Sequence, residues 1–368
     1  MNFVLLGYPD TERTAFFLKA AAELKIPVRF IEGPSFNNVF RRGPAFPSVG
    51  FSRCRRGPDS FGKSEELNFN FSQLQNSIVK VDPPLLNCYI GSMNSDMDRY
   101  INYLQKLEEV PGITLLNKSD AIQKTLDKFE CKQRLLKAGI PITQALGSSD
   151  NISSEAQLKK IMIKKKIFSV FIKPRYGSGS AGIIAYRLNP GTKKSIIETS
   201  AMIKEGFLIN TKKLRKIKDP AMIKSITNHV LRGGALVESW VPKSLYNGKA
   251  YDLRAVFQFG RLEYLVARQS RGPITNLHLN NDALAAENLN LDSSLMAELE
   301  VLCQRAALEF PGLNVAGFDI LINKNGKPMI IEINGQGDLI YLDLFAENRI
   351  YKSQITAMKN LLLTRSKL

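Results

Sequence analysis

The chain has 368 residues, 44% of them apolar, and a formal net charge of +17. That length buries two or three cores more naturally than one, and no apolar run is long enough to span a bilayer. Four scattered cysteines without a CxxC and only two histidines argue against zinc or haem, and a reducing, cytoplasmic setting is expected. In chain order, MNFVLLG has no basic region before its apolar run and is read as a first strand, not a signal peptide. Asp10 or Thr11 caps a helix that runs to Leu24, and IPVRFI is a second strand. Strand, helix, strand is the opening of a doubly wound α/β domain. The loop GYPDTER lacks G-x-G-x-x-G, so no nicotinamide cofactor is expected.

Residues 33–75 are rich in Gly, Pro, Ser, Asn and Arg and predict a long irregular insertion. SIVKVDPPLL is a further strand, a helix covers roughly Met97 to Glu108, and GITLLN is a short strand. One amphipathic helix is predicted from about Ser119 to Ala138, stopped by Gly139-Ile140-Pro141. FSVFIKP and IIAYRL are strands on either side of RYGSGSAG. Residues 190–230 are Lys-rich and mostly helical by pattern. ALVESWV is a strand, and YDLRAVFQFGRLEYLVARQS is two strands around a Gly turn. A helix from about Ser293 to Glu309, a hairpin and a C-terminal helix complete the chain.

The basic charge admits two readings, an anionic partner or solubility. The clusters (Arg41-Arg42, Arg53 with Arg55-Arg56, Lys159 to Lys166, Lys212 to Lys218) have no interleaved aromatics, so a nucleic-acid partner is not expected.

The hairpin AGFDILINKNGKPMIIEINGQGD carries the most chemistry. Asn325-Gly326 predicts a two-residue type I′ turn. That turn sets Lys324 against Lys327, Ile322 against Met329 and Asp319 against Glu332, with Asn334 on the face of Glu332. Two facing carboxylates repel unless a cation lies between them, and an all-oxygen set suits Mg²⁺ shared with nucleotide phosphates. The plainer alternative is a set of polar strand ends near a turn. Upstream, Lys173 precedes YGSGSAG, whose small residues leave backbone N–H groups free to wrap phosphate, although such a loop is often only a hairpin. Asp252 and Arg254 share one face of a strand, where a cross-strand salt bridge is the plain alternative. Arg268 lies in the next strand and Asn276 in the loop beyond.

Taken in order, LDKFECKQRLLKAGIP, VFIKPRYGSGSAGI, LVESWV, YDLRAVF, TNLH and VAGFDILINKNGKPMIIEIN resemble the ATP-grasp superfamily, most closely its RimK-like amino-acid ligase branch, over residues 119–345. The resemblance implies an ATP-grasp fold, α/β with two α+β lobes at 119–237 and 238–368, behind a doubly wound N-terminal domain at 1–118. It implies Lys128 and Lys173 as phosphate contacts, with Lys124 and Lys132 competing for the first role. Gly177, Ser178, Gly179 and Ser180 would form the flap. Glu238 with the Trp240-Val241 backbone would meet adenine. Arg254, Arg268 and Asn276 would face the transferring phosphoryl group, and Asp319, Glu332 and Asn334 would hold Mg²⁺, with Mn²⁺ as the alternative metal.

The activity implied is an ATP- and Mg²⁺-dependent ligase that joins a carboxylate to an amine through an acyl-phosphate. A small-molecule kinase or a non-catalytic ATP binder are the alternatives. The sequence departs from the family at GQGDLIYLD, with Gln336, Asp338 and Asp343, which puts a peptide C-terminal carboxylate as substrate in doubt. The Lys-rich insertion and the Arg-rich stretch 41–56 are expected to shape a site for an anionic substrate.

Overall fold

The computed structural model describes residues 2–34, 69–84, 89–177, 179–279 and 281–365. Most of the predicted insertion, with its arginines at 41–56, and Ser178 lie outside the described residues.

The first sheet is parallel, ordered β2-β1-β3-β4, from β1 (Asn2–Gly7), β2 (Val28–Glu32), β3 (Ser77–Val81) and β4 (Thr114–Leu115). Helix α1 (Glu12–Glu23) starts on Thr11, whose hydroxyl accepts from Thr14 N as an N-cap should. Helix α2 (Met93–Glu108) starts slightly earlier than predicted.

The single helix expected over Ser119–Ala138 is two, α3 (Ser119–Leu126) and α4 (Lys128–Lys137). Asp127 breaks it. Its backbone is extended at φ −77°, ψ 98°, and its carboxylate accepts from Phe129 N and Glu130 N, so it caps the second helix. The other carboxylate oxygen takes Arg175 Nε at 2.8 Å. Asp127→Ala is expected to lower stability by about 1–2 kcal/mol, the usual worth of such a cap. Urea denaturation checks this, and an unchanged midpoint would contradict the capping role.

The second sheet contains β5 (Ala145–Ser148), then, beyond helix α5 (Glu155–Lys165), β6 (Ser169–Pro174), β7 (Ile184–Leu188), β8 (Ser195–Lys204) and β9 (Phe207–Ile217). Helix α6 (Pro220–Arg232) leads into β10 (Ala235–Ser239), and the sheet order is β5-β10-β6-β7-β8-β9. The helical reading of 190–230 is therefore corrected for everything before Pro220. Ser195–Thr199 alternates buried and half-buried side chains and carries β-branched Ile196, Ile197 and Thr199, which is a strand pattern. Exposed Lys213 and Lys216 lie on β9, an edge strand where charge discourages further pairing.

The third sheet follows β11 (Leu245–Tyr246). It comprises β12 (Lys249–Gln258), β13 (Arg261–Ser270), β14 (Asp282–Ala285), β15 (Val315–Ile322) and β16 (Pro328–Asn334), in the order β14-β13-β12-β15-β16, with β11 paired to β12 off this path. Helix α7 (Ser293–Leu308) buries Leu299, Leu302, Cys303 and Ala306 in the core that contains Phe257, Phe318 and Ile333. The predicted turn between β12 and β13 has both central residues left-handed, Phe259 at φ 48° and Gly260 at φ 87°.

The hairpin of β15 and β16 differs from the expectation at its turn. Gly326 N bonds Asn323 O at 2.9 Å, Asn323 N bonds Lys327 O at 3.0 Å, and Gly326 has φ 75°. This is a three-residue loop closed by a left-handed glycine, not a two-residue I′ turn. Ile322 consequently faces Pro328, one residue off the predicted register. A bulge at Ile331 then restores it, so Asp319 does face Glu332, for a reason the turn did not supply. Ile331, Glu332, Ile333 and Asn334 all line the cleft described below.

Helix α8 (Tyr341–Leu344) precedes α9 (Arg349–Arg365), which packs back onto the first sheet. Tyr351, Ile355 and Met358 share a core with Phe3, Leu5 and Phe17. Below them, Asp338 accepts from Lys80 Nζ at 2.6 Å, Tyr351 OH at 3.3 Å and Gln354 Nε2 at 3.3 Å, and it pairs with Arg13. One buried carboxylate thus ties α1, β3 and α9 together. Burial alone would raise its pKa, but Arg13 and then Lys80 outweigh that and hold it at about 2.

Candidate functional site

A cleft is lined by the second and third sheets and by Arg13, Pro83, Pro84 and Met97 from around the first sheet. Pro83 and Pro84 follow the carboxyl end of β3, the edge of a parallel sheet where ligands collect.

Its floor is a row of charges set by strand register. Arg254 faces Asp319, and Asp319 faces Glu332. Arg254 Nη1 lies 2.7 Å from Asp319 Oδ1, and Arg268 Nη2 lies 3.0 Å from Oδ2. Asp252 takes Arg268 Nε at 2.7 Å and Lys243 Nζ at 2.9 Å, and it also accepts from the Thr275 hydroxyl. The cross-strand salt bridge weighed from sequence therefore exists for both residues, Asp252 with Arg268 and Arg254 with Asp319. Burial would raise the Asp319 pKa, but Arg268 and Arg254 outweigh it and the net shift is downward. Glu332, with a side chain 23% exposed, has Lys128 Nζ at 3.3 Å, and that ammonium also donates to Gly177 O at 2.7 Å.

Above the floor, Glu238 is buried between two ammonium groups. Lys132 Nζ is 2.7 Å from one oxygen and Lys173 is paired to the other, while Thr143 Oγ1 donates at 2.9 Å. Burial pushes the Glu238 pKa up, but Lys132 and Lys173 outweigh it and hold it at about 2. The two lysines move in opposite directions. Desolvation wins at Lys132, which is lowered, whereas Glu238 and Glu332 together overcome desolvation at Lys173, which is raised.

Two glycines let Arg254 lie where it does. A Cβ added at Gly317 or Gly337 would fall inside van der Waals reach of its guanidinium. Gly337 belongs to the GQGD segment that departs from the family pattern. That segment is therefore a close backbone approach to an arginine, and its neighbour Gln336 bonds Arg13 Nη1 through its carbonyl at 2.8 Å.

Of the residues singled out from sequence, Lys128, Lys173, Gly177, Gly179, Ser180, Glu238, Val241, Arg254, Arg268, Asn276, Asp319, Glu332 and Asn334 all line this cleft. Trp240 is not among the lining residues. Its N–H donates to Ser169 O at 3.1 Å, and its ring packs against Phe171 at 5.0 Å and under Arg187 at 4.3 Å. The backbone beside the lysine-bound glutamate is presented by Ser239 and Val241 instead. Lys124 is drawn to Asp120 on its own helix. Sequence reasoning missed Lys243 and Arg13. Lys243 gave no signal, because it lies in the segment after β10 and meets Asp252 only where the fold brings them together. Arg13 had none, because its partner Asp338 is 325 residues away.

The cluster holds six cations (Lys128, Lys132, Lys173, Lys243, Arg254, Arg268) against four carboxylates (Glu238, Asp252, Asp319, Glu332). The positive excess suits a bound polyanion. Among the described residues no group of three or more His, Cys, Asp or Glu could hold a metal by itself. Asp319, Glu332 and the Asn334 amide oxygen are hard oxygen donors, and as an incomplete set they fit Mg²⁺ that takes its remaining ligands from phosphate and water. Neither described cysteine is a ready nucleophile, since burial pushes the Cys131 and Cys303 thiols up to about 12.

Residues 121–352 match the model of the YheC/D-like ATP-grasp family. Among curated proteins no relative matches the chain. Solved structures similar to it include D-cycloserine synthetase DcsG, at TM-score 0.59 and 11% identity over 98% of this chain and 100% of that one. A Chryseobacterium gregarium RiPP-associated ATP-grasp ligase in complex with ADP and a leader and core peptide aligns at TM-score 0.54 and 13% identity, over 98% and 97%. ATP-grasp ligase PsnB complexed with minimal precursor, Mg and ADP aligns at TM-score 0.51 and 14% identity, over 97% and 98%. At these identities the likeness shows a shared fold.

Proposed function

The chain belongs to the YheC/D-like ATP-grasp family, and on that premise we propose that it is an ADP-forming ligase that activates a carboxylate as an acyl-phosphate and joins it to an amine. The observation that carries this reading is the charge row itself, where Arg254, Arg268 and Lys128 surround two facing carboxylates at one end of a cleft fringed by Lys173. Bringing a γ-phosphoryl group to a carboxylate gathers anions, and these cations offset the repulsion. The synthetase and ligase names of the structural neighbours support the same reaction class. The RimK-like branch and the lobe boundaries near 119 and 238 remain parts of the proposal.

In the proposed reaction Lys128 and Lys173 hold nucleotide phosphates, and Glu238 keeps Lys132 and Lys173 apart and aimed. Gly177, Ser178, Gly179 and Ser180 cover the phosphates and keep water from the activated acid. The Val241 backbone faces adenine. A substrate carboxylate oxygen attacks the γ-phosphorus and the bond to ADP breaks, with Arg254, Arg268 and Asn276 meeting the charge that develops. The amine nitrogen then attacks the acyl carbon, phosphate leaves and the nitrogen sheds its proton. Asp319, Glu332 and Asn334 would hold Mg²⁺, which supplies charge neutralisation at the phosphates when bound; the PsnB complex contains Mg and ADP.

Product analysis separates the possible activities. ADP with phosphate and an amide supports the ligase, ADP with a stable phosphorylated product indicates a kinase, and no turnover indicates a binder. Glu332→Gln is expected to raise the Mg²⁺ needed for half-maximal ADP release about tenfold or more. An unchanged Mg²⁺ requirement would remove Glu332 from the metal site.

A further inference from the structure

We propose that the end of the cleft bounded by Arg13, Pro83, Pro84, Met97 and Leu339 seats the acid substrate, and that this acid is a carboxylate on an apolar body. The inference rests on the ligase reading and names its substrate class. The segment after Asn334 connects the two ends of the cleft. Gly337 lies against Arg254 at the reaction centre, and the adjoining Gln336 carbonyl and Asp338 both engage Arg13. A group bound beside Arg13 is therefore next to the arginine that meets the phosphoryl charge.

Charge decides which co-substrate belongs there. Arg13, with its side chain 16% exposed, is the ionised residue from this end among the described lining residues, and it repels an ammonium. Its contacts with Asp338 and Gln336 both use Nη1, so the guanidinium fork has further N–H groups to offer a carboxylate. Asp338 offsets part of its charge, and Lys80 is buried against Asp338 and Asp82 rather than lining the cleft.

Among the described residues the rest of this end is proline, methionine, leucine and isoleucine, with Gln336, whose amide is already bonded to Val81 O and the Tyr100 hydroxyl, and with the partly exposed Tyr341 beyond. Tyr341 stacks with Phe345 at 6.4 Å between centroids, and Phe345 is 67% exposed. One anchoring cation in an apolar surround suits a monocarboxylate with a hydrocarbon or aromatic body. A polyanionic or hydroxylated acid would leave its polar groups desolvated and unpaired.

The test measures ADP release and hydroxamate formation with ATP, Mg²⁺ and hydroxylamine as the amine. The acids are 3-phenylpropionate and octanoate, a tripeptide ending in phenylalanine, and the polar acids succinate, glutamate and gluconate. The apolar acids are expected to stimulate release at least tenfold more than the polar ones, and the tripeptide separates a free acid from a peptide terminus as the source of the carboxylate. Pro84→Glu and Arg13→Lys are each expected to raise the KM of the best acid about tenfold while the ATP dissociation constant stays within twofold. Arg13→Lys keeps the charge facing Asp338, so it tests the fork rather than the fold. Polar acids outperforming apolar ones, or a KM unmoved in both variants, overturns the subsite and leaves the ligase standing. No ADP release with any acid overturns the ligase reading itself.

Discussion

Arg254→Ala is expected to lower kcat by about a thousandfold with little loss of stability. The arginine lies 2.7 Å from Asp319 and in register with it, on the row that leads to Glu332. Removing one preorganised donor to developing charge costs about two to three powers of ten, and arginines in phosphoryl transfer reach the upper end. Stability should hold because Asp319 keeps Arg268 at 3.0 Å, so no buried carboxylate is stranded. Steady-state kinetics beside a thermal melt make the measurement. A tenfold loss or less would place Arg254 outside the reaction centre. Gly337→Ala should reproduce part of the defect without touching a charged residue, because its methyl would push the guanidinium aside. ATP affinity in that variant should change no more than about threefold, since Lys128 and Lys173, proposed to hold the phosphates, are not the groups displaced.

Glu238→Gln should be the most destabilising single change in the cleft. Glu238 is 1% exposed and bonded to Lys132, Lys173 and Thr143. The glutamine has nearly the same shape but leaves two buried ammonium groups facing one another without an anion, a loss of about 3–5 kcal/mol. The effect must depend on pH in a defined direction. The Glu238 pKa is lowered in the fold from 4.5 to about 2, so its contribution is complete above pH 4.5 and fades as pH falls toward 2. Wild type and variant should therefore differ most at neutral pH and converge in acid. Chemical denaturation across pH 3–7 reads the gap, and a gap that stayed constant over that range would remove the charge from the explanation. Asp338, also held at about 2 by Arg13 and Lys80, adds to acid lability in both proteins and cancels in the comparison.

These two residues also mark how far a sequence reading reaches. The motifs were legible because each lies within one strand or loop. Lys173 before its glycine loop, Asp252 with Arg254 two residues on, and Asp319 opposite Glu332 all follow from alternation and short-range order. The row Arg254–Asp319–Glu332 was half visible, since strand order across β12, β15 and β16 cannot be read from spacing alone. The hairpin reached the correct facing of Asp319 and Glu332 through a wrong turn, because a bulge at Ile331 cancelled the slip. The helical reading of 190–230 failed before Pro220 because exposed lysines such as Lys213 and Lys216 on an edge strand mimic a helix face when burial is unknown.

By itself the sequence determined the α/β class, the order of the nucleotide motifs and the oxygen-rich hairpin, all of them local consequences of side-chain period and turn chemistry. Only the tertiary structure decided that Glu238 clamps two lysines, that Trp240 turns away from the cleft, and that GQGD is the strap between Arg254 and Arg13. The reason is physical. Charges buried together must find their partners wherever the fold brings them, and Arg13 reaches Asp338 across 325 residues that no local pattern spans.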